Sequence, residues 1–227
     1  MRLHIEKPIY GGAGLARHEG KAVFVPFTLP GEEVEAQLRH EKGGYATAEL
    51  EAVLTVSSSR AEPPCPYFGR CGGCHYQHAD YSSQVRMKAS ILRETLERAH
   101  IREIPEIEVV AADPLAYRNR VRLHVRSNPF SLCYKMRESH VDLPIMACPI
   151  AGPALQQAIE ILTRNGNSLG LAGWAAEIEL FTNNDESSLL LALWTEHPPN
   201  EAKRLLHASW PRIRQQLPQV AGAGVYS

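Results

Sequence analysis

The run Cys65-Pro66-Tyr67-Phe68-Gly69-Arg70-Cys71-Gly72-Gly73-Cys74, answered by Cys148-Pro149, constrains this chain more than any other feature. Read as ligands, it is C-x5-C-x2-C with a distant fourth cysteine. Four thiolates are what a cubane iron–sulfur cluster requires. Gly72 and Gly73 carry no Cβ, so the backbone between Cys71 and Cys74 can fold tightly and aim N–H groups at cluster sulfides. A proline after the last ligand also occurs in ferredoxin-type runs. Three other chemistries use the same residues. A structural zinc ion takes four cysteines, with C-x2-C as its commonest half-site. Thioredoxin-like exchange at Cys71 and Cys74 is a second, and disulfides are a third. Three cysteines inside ten residues surround one cubane more naturally than they make two separate zinc knuckles.

Cysteine usage bounds the compartment. There are five cysteines, an odd number, and Met1-Arg2-Leu3-His4 leads into an amphipathic segment with no secretory h-region. That pattern predicts a reducing cytoplasm and metal ligation over a disulfide framework. No stretch approaches the roughly 18 apolar residues of a membrane helix, so no membrane partner is expected. The 227 residues suit two domains, and 44% apolar content is ordinary for a chain with a buried core. Lys plus Arg is 24 and Asp plus Glu is 25, a net charge of −1. This balance argues against indiscriminate nucleic-acid binding and leaves room for a local basic patch.

The first sixty residues alternate with period two. Leu3, Ile5 and Lys7 alternate with His4, Glu6 and Pro8, Lys21–Pro26 reads as a strand ended by proline, Val34, Ala36 and Leu38 face inward, and Ala46, Ala48, Leu50 and Ala52 share one face of a long strand. Gly11 to Gly14, Leu29-Pro30-Gly31-Glu32 and Lys42-Gly43-Gly44 punctuate them as turns. Short strands between Gly/Pro turns predict a small barrel. The glycines at 11–14 lack the lysine and following helix of a phosphate loop.

Here a resemblance enters. Phe24-Val25-Pro26-Phe27-Thr28-Leu29-Pro30-Gly31-Glu32-Glu33-Val34 resembles the signature of a TRAM domain, an OB-like RNA-binding barrel. It is followed by Ser59-Arg60-Ala61-Glu62-Pro63-Pro64-Cys65 and the Cys-Gly-Gly-Cys run. That order resembles the bacterial RNA uracil-5-methyltransferases acting on 23S ribosomal RNA. The resemblance implies a 4Fe–4S cluster on Cys65, Cys71, Cys74 and Cys148, and raises the cluster above zinc. Tyr117-Arg118-Asn119-Arg120 is similar to the family's YRNR element, and Lys135-Met136-Arg137-Glu138-Ser139-His140 to its R-x-S-H segment.

Asp80 is placed to cap a helix with Val85, Ala89, Leu92, Leu96 and Ala99 on one face. From Tyr117 to Arg126 the alternation is strict: Arg118, Arg120, Arg122, His124 and Arg126 on one face, Val121, Leu123 and Val125 on the other. Such a row of cations needs an anion, either RNA phosphate or acids on a neighbouring strand such as Glu138 or Asp142. The RNA-binding set predicted is Arg118, Arg120, Arg122, Arg126, Lys135 and Arg137. Cys133 reads as a buried small hydrophobe. A helix over Pro153–Arg164, a hairpin of Ala175–Thr182 and Leu189–Glu196, and a last helix over Glu201–Leu217 broken or kinked at Pro211 complete the pattern.

The resulting expectation is an α+β, β-rich chain: a five-stranded TRAM barrel over 1–57, a cluster-binding loop over 58–80, and a mixed α/β central domain over 81–227. A Rossmann-like methyltransferase domain is expected to be absent, because no glycine-rich strand–turn–helix fingerprint occurs. The resemblance places the nucleophilic cysteine, the base and the cofactor domain C-terminal to the matched segments. No catalytic or cofactor-binding residue is therefore assigned, and the chain alone is expected to be inactive. The expected role is the RNA-binding and iron–sulfur portion of a 23S rRNA uracil-C5 methyltransferase using S-adenosylmethionine. It would act as a cytoplasmic monomer on a ribosomal RNA stem-loop with an exposed uridine. The alternative is a free-standing RNA-binding module holding an iron–sulfur cluster or zinc, without catalysis.

Overall fold

The computed structural model describes all 227 residues. They divide into two compact units, one of Met1–Gly69 with Cys74–Ala111 and the other of Arg70–Gly73 with Ala112–Ser227.

The first unit holds strands β1 (Arg2–His4), β2 (Lys7–Pro8), β3 (Ala13–His18), β4 (Lys21–Pro26), β5 (Glu33–Lys42) and β6 (Tyr45–Thr55). They form one sheet in the order β1-β5-β6-β4-β3-β2. Six strands stand where five were expected. Ile5 and Glu6 interrupt the first strand, so β1 pairs with β5 while β2, two residues on, pairs with β3 at the opposite edge. One short stretch of chain thus supplies both edge strands of the sheet, and both are very short, which blunts edge-to-edge pairing. Leu3, Ile5, Val23, Val25, Val34, Ala36, Ala46 and Ala48 are buried together inside, as their alternation requires. The β4–β5 connection turns through Leu29-Pro30-Gly31-Glu32. Gly31 sits at φ +84° and the Glu32 amide donates to the Leu29 carbonyl at 3.2 Å. This is a Pro-Gly turn whose third residue needs positive φ.

Helix α1 (Tyr81–Arg98) completes this unit. Asp80 caps it by accepting from the Ser83 amide at 2.8 Å, as the sequence indicates. Its buried face is not the expected one. Ser83 and Met87 are buried, with Met87 against Leu29 and Ala79, while Leu92 is 47% exposed. Polar anchors set the helix rotation: Ser83 donates to Ser59 at 2.8 Å, and Lys7 pairs with Glu94 at 2.6 Å.

The second unit has β7 (Arg120–Ser127), β8 (Phe130–Lys135), β9 (Asp142–Pro144), β10 (Glu177–Thr182), β11 (Leu189–Trp194) and β12 (Val220–Tyr226), with helices α2 (Pro153–Asn165) and α3 (Pro199–Gln216). The sheet order is β12-β11-β10-β7-β8-β9. All neighbours are antiparallel except β11 and β12, which run parallel because α3 carries the chain back across the sheet. The α2 side chains Leu155, Ala158, Ile159 and Leu162 are buried, and the helix packs on β8 and β10; α3 packs on β12. Val121, Leu123, Ile178, Leu180, Leu191 and Leu193 line the covered face. The helix α3 continues through Pro211 to Gln216 without ending there. The ring removes one backbone donor, and burial of Ala202, Ser209 and Ile213 holds the helix on either side of it.

Candidate functional site

The cysteines are positioned by different local structures. In the first unit, the Cys65 amide donates to Gln77 Oε1 at 3.2 Å, and its carbonyl accepts from the Phe68 amide at 3.0 Å. Cys74 lies in the same unit. In the second unit, Cys71 pairs with Met136 just past β8. The Gly72 amide donates to the Lys135 carbonyl at 3.2 Å and the Arg137 amide to the Arg70 carbonyl at 2.8 Å. Lys135 and Arg137 therefore pin the cysteine loop through their backbones. Cys148 is 8% exposed. The chain after it is clamped by the YRNR element: Ala116 donates to Pro149, Arg118 to Ile150, and Gly152 to Arg118, at 2.8 to 2.9 Å. Within either unit no three His, Cys, Asp or Glu side chains are gathered in a metal-holding group.

Gln77 Nε2 is buried and unpaired, on the side chain whose Oε1 holds the Cys65 amide. The Tyr134 hydroxyl is buried on β8 and meets the Cys148 thiol. Burial pushes its phenol well up, and the charge of Cys148, the hydrogen bond with it and the charge of Cys71 push it further, while Arg118 opposes them. Buried polar atoms are normally satisfied, and leaving one unpaired costs about 1–3 kcal/mol. Cys133 differs: it is fully buried, its thiol donates to the Ser131 carbonyl at 3.8 Å, and burial pushes its pKa up.

The basic strand is neutralised from β10, not from Glu138 or Asp142. Register pairs Arg122 with Glu179 and His124 with Glu177 across the sheet. Arg120 bonds Glu179 at 2.7 Å, Arg122 bonds Glu177, and His124 lies 3.3 Å from Glu177. Arg126 donates to the Ser131 hydroxyl at 3.0 Å, Lys135 pairs with Asp142 at 2.7 Å, and Arg137 meets Glu138 at 3.1 Å. Arg118 precedes β7 and bridges to Ala151, so it belongs with the Cys148 segment and not with the open face.

That open face carries a feature sequence reasoning missed. The Arg122 guanidinium lies 4.0 Å over the Trp194 ring, and Trp194 stacks on Tyr226 at 5.1 Å and 23°. A shallow groove of about 570 Å³ beside them is lined by Arg120, Glu179, Phe181, Leu190 and Tyr226. The signal was the outward parity of Trp194 on β11. Reading it needs the β10–β11 register that sets Trp194 opposite Glu177. Trp174, by contrast, is a core residue, its Nε1 donating to the Gly170 carbonyl at 2.5 Å.

Comparison with known proteins fits this geometry. Residues 1–50 match the TRAM domain model. The chain is homologous to 23S rRNA uracil-C5 methyltransferases. It is 37% identical over 195 residues to the 23S rRNA (uracil(1939)-C(5))-methyltransferase RlmD of Pectobacterium carotovorum, covering 84% of this chain and 43% of that protein. It is 45% identical over 130 residues to an RNA methyltransferase of Aquifex aeolicus, covering 56% of this chain and 31% of the other. The chain thus spans less than half the length of these relatives. In fold it resembles the Pyrococcus abyssi tRNA (uracil-54, C5)-methyltransferase crystallised with S-adenosyl-L-homocysteine: TM-score 0.62, 21% identity, 86% of this chain and 46% of that one.

This likeness corrects the expected fold class, in which a methyltransferase fold was absent from the chain. Over 86% of its length the chain shares the fold of 46% of that methyltransferase's chain, built here from two mixed sheets and three helices. The error lay in the criterion. A glycine fingerprint serves a dinucleotide pyrophosphate at a helix N-terminus. The β11–α3–β12 crossover is a parallel βαβ unit that forms without it. No helix is long and apolar enough to cross a membrane.

Proposed function

We propose that this chain serves methyl transfer from S-adenosylmethionine to the 5-carbon of a uracil in ribosomal RNA. The observation that carries the reading is the 37% identity over 195 residues to a 23S rRNA uracil-C5 methyltransferase. In this reading residues 1–57 are the RNA-binding barrel, 58–80 the cysteine loop, and 81–227 a central domain. Cys65, Cys71, Cys74 and Cys148 would hold a 4Fe–4S cluster, which supplies a rigid, redox-capable crosslink when bound. The unpaired Gln77 Nε2, on the side chain that holds the Cys65 amide, supports that assignment. Arg120 and Arg122 would meet RNA on the open sheet face, with a splayed base laid on the Trp194–Tyr226 stack. Aromatic and guanidinium planes bind unpaired bases in this way. The favoured RNA is a stem-loop with an exposed uridine, bound by a monomer in the cytoplasm.

The test is transfer of a labelled methyl group to 23S rRNA by the protein in its full natural length, with this chain's residues varied in place. Incorporation at uridine C5 that falls on loss of the Arg120–Arg122 face supports the reading. RNA binding with no methyl incorporation at any uridine would replace it with a free-standing RNA-binding module.

A further inference from the structure

Register sets three rows of side chains across the open sheet face of the second unit. Phe181, Leu190 and Gly222 share one row, Ala192 and Gly224 the next, and Trp194 and Tyr226 the third. Phe181, Leu190 and Tyr226 are exposed around the groove of about 570 Å³, a volume usual for a small-ligand site. Gly222 and Gly224 line it as well. Neither has a positive φ, so the strand does not require them, and a glycine inside a strand often marks close approach of a ligand. A Cβ on Gly224 would stand 3.2 Å from the Tyr226 hydroxyl oxygen and 3.4 Å from its ring. The ring therefore leans back over that glycine and walls one side of the groove. A Cβ on Gly222 would meet only Leu190, at 3.4 Å. The charges bordering the groove are layered. The Arg120 and Arg122 side chains are 63% and 48% exposed, and their partners Glu179 and Glu177 only 12% and 24%. An approaching chain thus meets guanidinium groups first, with the carboxylates beneath them.

We infer that the groove is a second base subsite, so that this face holds two consecutive unpaired nucleotides of single-stranded RNA. One base lies on the Trp194–Tyr226 stack, its neighbour enters the groove between the Tyr226 ring and Leu190, and the phosphate linking them meets Arg120. This deepens the RNA-face reading above and rests on it. Aromatic walls suit the flat base, and the outward guanidinium groups suit the backbone charge. Rows two residues apart along a strand stand about 7 Å from one another. That is twice the roughly 3.4 Å between stacked bases. Bases taken at such a spacing are splayed apart, so the face selects unpaired nucleotides over duplex.

The experiment titrates the chain with a uridine dinucleotide, and with the same molecule lacking one base, and follows quenching of tryptophan fluorescence. Trp194→Phe, which keeps an aromatic platform, identifies the part of the signal that belongs to Trp194. The parent should bind the two-base form about tenfold more tightly than the one-base form, the gain from one more stacked base. Gly222→Val puts a side chain into the groove, and Leu190→Ser removes a wall. Each should bring the ratio of the two affinities to about one. Equal affinity of the parent for both forms would overturn the second subsite and leave the first base and the RNA face standing. So would a tenfold preference that survives both substitutions. No quenching by either form would overturn the RNA face and this inference with it. A chain that sediments as a dimer without RNA, and as a monomer in Leu190→Ser, would assign the patch to a second copy and overturn the subsite. If circular dichroism shows Gly222→Val unfolded, Leu190→Ser decides alone, since its side chain is half exposed.

Discussion

Glu32 and Arg60, 28 residues apart, form a buried ion pair in the first unit, with Arg60 Nε 2.6 Å from one carboxylate oxygen and Nη2 2.7 Å from the other. Glu32 is fully buried. The Leu29 amide at 2.9 Å and the Ser57 amide at 3.3 Å complete its bonds, and Arg60 also donates to the Phe27 carbonyl. The pair ties the Leu29–Glu32 turn to the chain leaving β6. Burial alone would push the Glu32 carboxyl up. The Arg60 hydrogen bond, the Leu29 amide, the Arg60 charge and the Ser57 amide outweigh it and hold the group below the usual carboxylate range.

Arg60→Ala should therefore be severe, because it strands a charge with no water to solvate it. The expected loss is about 3 kcal/mol, the range for breaking a buried pair from one side. Urea unfolding measures it. Because the folded pKa of Glu32 is depressed, its contribution is present above the unfolded carboxylate pKa and fades as pH falls through the folded value. In Arg60→Ala that part of the acid dependence disappears. A cost under about 1 kcal/mol would mean that the pair contributes little.

His78 gives a second pH dependence. It is 2% exposed, set against Phe27 and Phe68, with Nε2 3.5 Å from the Thr28 carbonyl. Desolvation drives its pKa down to about 4, Arg60 adds to that, and the Thr28 carbonyl and Glu32 oppose it. The folded protein holds the ring neutral while the unfolded chain protonates near 6.5. Stability is thus complete above about pH 6.5 and falls as pH drops toward 4, by up to about 3 kcal/mol for a shift of this size. His78→Phe should flatten the stability profile between pH 6.5 and 4. An equal slope in both proteins would assign the acid sensitivity to other groups.

Local signals were legible where the determinant is local. The Asp80 cap, the α2 face, the β10–β11 hairpin and the Val121–Leu123 alternation all depend on residues within a turn or a strand of one another. What was not legible depends on pairing between distant strands. Arg120 and Glu179 are 59 residues apart, and Arg122 and Glu177 are 55. Only the β7–β10 register joins them, and nothing local encodes that register. The rotation of α1 failed for a related reason. Its periodicity offered a face containing Leu92, but Ser59 and Lys7, far away in sequence, chose the side of Ser83 and Glu94.

The cysteines separate by substitution. Cys71→Ser should lose iron and lower the unfolding temperature, since ligand binding contributes directly to folding. Cys133→Ala should keep the parent's metal content and lose stability only through a small cavity, on the order of 1 kcal/mol. Metal analysis beside thermal unfolding reads both. Iron lost from Cys133→Ala would show the wrong fourth ligand has been assigned.

The Glu179 carboxylate supplies the sharpest test of the proposed nucleic-acid face. Arg120 and Arg122 are exposed but already paired, so contact with a phosphate must compete with Glu179 and Glu177. Removing both arginines should weaken binding to a ribosomal RNA stem-loop. It should reduce the salt slope by less than the roughly 0.7 per contact expected of unpaired cations on single strands. Glu179→Gln should do the reverse. It keeps the shape of the side chain, removes the competing charge and leaves Arg120 free for phosphate. RNA affinity should rise several-fold at low salt, and the salt slope should steepen by a fraction of one contact. Filter binding over a salt series measures both. If Glu179→Gln binds no better and the double arginine variant binds no worse, the ladder of charges is a solvated structural face and the RNA lies elsewhere.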